Sequence, residues 1–185
     1  NNTKFNNWFN TYSDIDINYE ELQLMLVEQK FEEAASLRDK ERQLINKLEK
    51  INTIQKEIIE EFKILDQDFE MTLNYLMELG DKVPPIKEKY KIEENIIKGC
   101  QSKVWLTYKL NNDEFTFSGD SNTEITKGLL SLLIKIYSNC SPKEIIDSNL
   151  FFIEKIGLNR FIGTQRSNGL KSMENKFKIF ALSNI

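Results

Sequence analysis

A chain of 185 residues with 40% hydrophobic and 29% charged content is long enough to bury a core, and reads as one ordinary domain with a small appendage. Its net charge of -4 has the wrong sign for a nucleic-acid surface, and apolar runs such as "GLLSLLIKIY" are interrupted by Ser or Lys well short of a bilayer span. Two cysteines and no histidine supply neither a dense disulfide framework nor a Cys/His zinc site within the chain, and they fit a reducing compartment.

Residues 1–17 mix Asn with scattered aromatics, and we expect an irregular lead-in there. The chain opens without Met, which suits a precursor trimmed at its front end. Over 18–52 the spacing predicts a helical hairpin. Leu22, Met25 and Leu26 share a face, a break is expected near Gln29 and Lys30, and Ala34, Leu37, Leu44, Leu48 and Ile51 continue the pattern. Acidic Glu20, Glu21, Glu32 and Glu33 precede basic Lys30, Arg38, Lys40 and Arg42, an order that suits helix ends. Residues 53–80 are helical by the spacing of Ile54, Ile58, Phe62 and Leu65 and then Phe69, Leu73, Leu76 and Leu79, with Gly80 placed to end the helix.

Two prolines in "DKVPPIKEKYKIEENIIKG" forbid a continued helix and favour an extended wrap over the surface. After Cys100, Val104, Leu106, Tyr108 and Leu110 alternate with Lys103, Trp105, Thr107 and Lys109, the period of a half-buried strand. "NND" turns the chain, and Phe115 and Phe117 of "EFTFSG" complete an antiparallel hairpin with Cys100 at its open end. "SNTE" at 121–124 predicts a capping box opening a helix on Ile125, Leu129, Leu132, Leu133 and Ile136, with Gly128 packing close to the sheet. "SPKE" at 141–144 repeats the signal with Pro142 at the first helical position. A short helix stopped by Gly157 and a final amphipathic helix using Leu170, Met173, Phe177 and Phe180 close the chain.

A thiol reacts as its thiolate, so a working cysteine needs exposure together with a cation, a helix start or backbone amides. Cys100, beside Gly99 in a loop, meets the first requirement, although free cysteines commonly serve as small buried hydrophobes. Cys140 has no cation in its neighbourhood and reads as such a hydrophobe. Cysteine hydrolysis calls for a base, usually His, and the chain has none. Sulfur relay needs only a thiolate and an approach path, under the rules that govern thiol exchange.

"KGCQSKVWL", "FSGDSNTEITKGLLSLLIKIYS", "SPKEIID", "FFIEKIGL" and "QRSNGLKSM", in this order and spacing, resemble the SufE family of sulfur acceptors over roughly 53–185. The resemblance implies an α+β fold, a small antiparallel or mixed sheet flanked by helices, preceded here by the helical hairpin. It implies two partners, the cysteine desulfurase SufS and the iron–sulfur scaffold complex containing SufB, and no cofactor or metal held by the chain itself. By the same resemblance Cys100 accepts the sulfane sulfur as a persulfide, and Arg166 of "RSNGL" is the family's basic residue near it, able to steady a thiolate or to link loop and helix. Gln101, Ser102, Trp105, Asp120, Ser121, Lys127, Gly128, Asn168 and Gly169 also match, and most read as architectural. The chain departs from the family at "DSNT", where many members have "DSDA", and at "GTQR", where "SPTR" or "TPSR" is commoner.

Residues 29–44, "QKFEEAASLRDKERQL", resemble the UVR motif, a helical hairpin for protein contact, which implies a further protein partner; no role in DNA repair is inferred from it. A non-catalytic adaptor acting through that hairpin is therefore the alternative function. A self-sufficient desulfurase or hydrolase is disfavoured by the missing base and by the lack of a recognisable cofactor lysine. Usage rich in Asn, Lys and Ile, with a trimmed front end, fits either a bacterial cytoplasm or a plastid-type organelle.

Overall fold

A computed structural model describes residues 19–185, with side chains described for 24, 26–39 and 49–185; the lead-in expected over 1–17 lies outside the described residues. The chain divides into two compact units, Asn1–Gln43 and Leu44–Ile185, where the sequence reading sets the boundary between 52 and 53. Ile51 is already buried in the core of the second unit.

Helix α1 runs Tyr19–Lys63. Residue 18 and the side chains of 19–23, 25 and 40–48, on which the hairpin expected over 18–52 depends, lie outside the described residues. In the first unit Leu24, Leu26, Val27, Phe31 and Leu37 are exposed.

In the second unit, the remainder of α1 buries Ile51, Ile58 and Phe62. The chain then breaks before α2 (Phe69–Asp81), because Asp66 and Gln67 take left-handed backbone angles and the Asp68 carboxylate accepts from the Met71 amide at 2.7 Å as an N-cap. This corrects the single helix expected over 53–80, and Gly80 lies inside the last turn of α2 instead of ending it. Such a break carries no Gly or Pro signal; the Asp cap was its only trace.

The proline segment wraps as expected through two short 3-10 turns, Glu88–Tyr90 and Glu93–Asn95. It is stitched to the sheet where the Gly119 amide donates to the Pro84 carbonyl at 3.1 Å. Strands β1 (Val104–Asn111) and β2 (Glu114–Ser121) form a two-stranded antiparallel sheet in the register Val104↔Ser121 to Asn111↔Glu114, turning on left-handed Asn112 and Asp113. Val104, Leu106, Phe115 and Phe117 are fully buried, the face that alternation assigned to the core.

Helix α3 (Glu124–Tyr137) begins at Thr123, and the capping box expected from Ser121 and Glu124 does not form. Pairing with Val104 keeps Ser121 in β2, and its hydroxyl donates to the Lys103 carbonyl at 3.0 Å. The second box does form in α4 (Pro142–Asp147): the Glu144 amide donates to Ser141 Oγ, and the Ser141 amide donates to the Glu144 carboxylate at 2.6 Å. Short α5 (Phe152–Lys155) leads through Gly157 into α6 (Leu158–Leu182), which is longer than expected and kinked at Gly163. Leu170, Met173 and Phe177 of α6 are buried as expected. The result is an α+β fold, a small antiparallel sheet flanked by helices.

Gly128 packs against α2 and not against the sheet. A Cβ there would stand 1.9 Å from the Leu76 carbonyl oxygen, so the two backbones touch at a point where no side chain fits. Gly128→Ala is therefore expected to lower unfolding free energy by about 1–3 kcal/mol, the usual cost of overpacking, read as a lower denaturation midpoint with an unchanged slope.

Candidate functional site

The loop carrying Cys100 is anchored at both ends. The Ile97 amide donates to the Val104 carbonyl at 2.8 Å, and Ile96 makes a β-bridge to Trp105. On the far side, the Lys103 amide donates to Asn122 Oδ1 at 2.9 Å, while the Lys103 carbonyl accepts from the Asn122 amide at 3.2 Å. Between these anchors Gly99 has φ +91°, and a Cβ on it would meet Ser172 Oγ at 2.6 Å. Only glycine suits both the angle and the space.

Cys100 is half-buried. Its Sγ–H donates to the Gly169 carbonyl on α6 at 3.4 Å, a contact across 69 positions of sequence that no local pattern announces. The thiol, Arg166 and Gln165 of α6, and Thr123 and Thr126 at the start of α3 line one cavity of about 330 Å³, floored by Leu129 and Met173. Cys100 and Arg166 thus line the same cavity. Arg166 is exposed and makes no ion pair among the described residues. The sequence reading missed Thr123 and Thr126, whose one available signal was their position beside the misread cap.

Burial pushes the Cys100 thiol up from its ordinary 9.0 to about 11, because the low-dielectric surroundings disfavour the thiolate. In this position burial favours the protonated, weakly nucleophilic thiol. Cys140 is fully buried and pushed still higher, to about 12, as expected for a core residue. No group of His, Cys, Asp and Glu among the described residues could hold a metal ion, and no helix there is long and apolar enough to cross a membrane.

The other matching positions are largely architectural. Asp120 pairs with Lys91 of the wrap at 2.8 Å and with Lys127 of α3 at 3.6 Å. Burial opposes its charge, but the Lys91 and Ser121 hydrogen bonds prevail and hold the carboxyl below its usual range. Lys91 also stands 6.0 Å over the Trp105 ring, so wrap, sheet and helix meet beside the root of the loop.

The family described as SufE, Fe-S metabolism associated domain, matches residues 56–181. An uncharacterized SufE-like protein of Rhizobium etli is 37% identical over 127 residues, covering 66% of this chain and 85% of the relative. A second, from Rhizobium meliloti, is 37% identical over 128 residues, covering 66% and 90%. The solution structure of a hypothetical protein from Thermus thermophilus superposes with TM-score 0.58 at 20% identity, covering 70% of this chain and 94% of the other, a likeness of fold.

The raised thiol pKa fixes a pH dependence. The unfolded thiol ionises near its ordinary 9.0 and the folded one near 11, so the stabilisation of the closed loop is complete below 9 and is lost as pH rises toward 11. Alkylation of Cys100 by iodoacetamide should keep climbing beyond pH 9 and level off near 11; a plateau just above 9 would show a solvated thiol.

Proposed function

Because the chain belongs to the SufE family, whose domain is associated with Fe–S metabolism, we propose that it is the sulfur acceptor and activator of a SufS-type cysteine desulfurase. In this reading it delivers sulfur to a scaffold complex containing SufB. The observation that carries the reading is a half-buried cysteine sharing one cavity with an exposed guanidinium.

The step needs few parts. The Cys100 thiolate attacks the terminal sulfur of the donor's persulfide. A sulfur–sulfur bond forms at Cys100 as the donor's own breaks, and the donor leaves as a thiolate carrying the negative charge. No base acts on the sulfur beyond the initial loss of the thiol proton, which fits a chain without histidine. The Arg166 guanidinium, at the same cavity, steadies the anion at the acceptor sulfur.

Burial sets the order of events. While the thiol rests against Gly169 it is protonated and shielded, so it waits unreactive and, once loaded, keeps its sulfur from water and stray thiols. The 99–101 segment then swings outward at the partner, where solvent restores an ordinary thiol pKa.

A second reading, an adaptor working through the first unit, is favoured by the exposure of Leu24, Val27 and Phe31 at helical spacing, and of Leu37 beyond them. The UVR-like resemblance of 29–44 would then mark a protein-contact surface, presented on a helix.

Mass spectrometry after incubation with the cognate desulfurase and free cysteine separates the two. The wild type is expected to gain one sulfur on Cys100, Cys100→Ser none, and Arg166→Ala to load roughly tenfold more slowly, the worth of one hydrogen bond to a charged group. Phe31→Asp with Leu37→Asp should leave loading unchanged. Normal sulfur delivery by Cys100→Ser, together with loss of function in the Phe31/Leu37 variant, would replace the first reading with the second.

A further inference from the structure

The five residues between the anchors at Ile97 and Lys103 are held by few bonds. Besides the weak thiol contact to Gly169 at 3.4 Å, the side-chain hydrogen bonds of 98–102 among the described residues pass through one hydroxyl. Ser102 Oγ lies 2.9 Å from Thr123 Oγ1, and Thr126 Oγ1 donates to it at 3.3 Å. Thr126 is 4% exposed, so this contact has little competition from water.

Thr123 adds an independent sign. It occupies the N-cap of α3 with extended angles, φ -135° and ψ 137°, the geometry in which a Thr hydroxyl ordinarily accepts from its own helix amides, yet it makes no such bond. Its hydroxyl is turned to Ser102 instead. The helix forgoes its usual cap, and the loop gains a tether.

We propose that the Ser102 hydroxyl, shared between Thr123 and Thr126 at the start of α3, is the latch that holds the Cys100 loop closed. Ser102 is a positioning residue: it acts on sulfur only by setting how often Cys100 leaves its shelter. The latch rests on the sulfur-acceptor reading for its purpose, since a carrier must stay shut between encounters and open at its partner. Its geometry stands without that reading. A hydroxyl pair suits the task, because it is directional, uncharged and close in strength to the bonds that water or a partner's polar groups offer in exchange.

The two cysteines make the test self-controlled. Iodoacetamide labelling of Cys100 reports loop opening, and labelling of fully buried Cys140 reports opening of the whole domain. Ser102→Ala is expected to raise Cys100 labelling about fivefold, the worth of one ordinary hydrogen bond, with Cys140 labelling unchanged. Thr123→Val should act similarly, since its hydroxyl caps nothing else. The double variant should exceed neither single one by much, as for two residues of one network. Ser102→Thr, which keeps the hydroxyl, should restore the wild-type rate.

Unchanged Cys100 labelling in Ser102→Ala overturns the latch. So does a parallel rise at Cys140, which would mean general loosening, or full additivity with Thr123→Val, which would mean unconnected roles. Labelling requires no sulfur donor, so these outcomes are independent of whether Cys100 accepts sulfur.

Discussion

The behaviour of the site depends on a short segment pinned at both ends and loosely held between. Main-chain bonds fix Ile97 to Val104 and Lys103 to Asn122, so the sheet defines where the loop begins and ends. Within that span Cys100 is tethered by a thiol to a carbonyl and Ser102 by hydroxyls. Rigid ends with a weakly bonded middle leave Cys100, half-buried against the core, as the one apolar side chain of the segment packed there.

The scaffold that allows this is tight where the loop is loose. The contact of Gly128 with the Leu76 carbonyl locks α3 onto α2, and α3 carries a nearly continuous run of buried residues from Leu129 to Ile134. Its first turn is therefore a fixed platform, and Thr123 and Thr126 stand on it. The kinked α6 supplies the opposite wall, burying Leu170, Met173 and Phe177 in the core while leaving Arg166 exposed at the cavity. Two anchored helices thus face the Cys100 sulfur across one cavity.

Burial alone drives Cys100 toward the neutral form, and the Arg166 guanidinium, although it lines the same cavity, does not offset it. Under the sulfur-acceptor reading we propose, the thiol is a protected group at rest and a nucleophile at its partner, and neither state needs a histidine.

Local patterns in the sequence sufficed for much of this. Alternation through Val104 to Leu110 and the pair Phe115 and Phe117 located the sheet, "SPKE" located α4, and Gly99–Cys100 at the open end of the hairpin placed the cysteine in a loop, because each rests on interactions within a few residues. Where neighbours compete, the local reading went astray. Ser121 looked like a cap but is held in β2 by pairing with Val104, Gly128 met a helix and not the sheet, and the break at Asp66 and Gln67 had no glycine to announce it. The burial of Cys100 against Gly169, its shared cavity with Arg166 and the hydroxyl cluster around Ser102 were decided by packing alone. They join segments far apart in the chain, and the free energy that brings them together belongs to the whole core and not to any one stretch of residues.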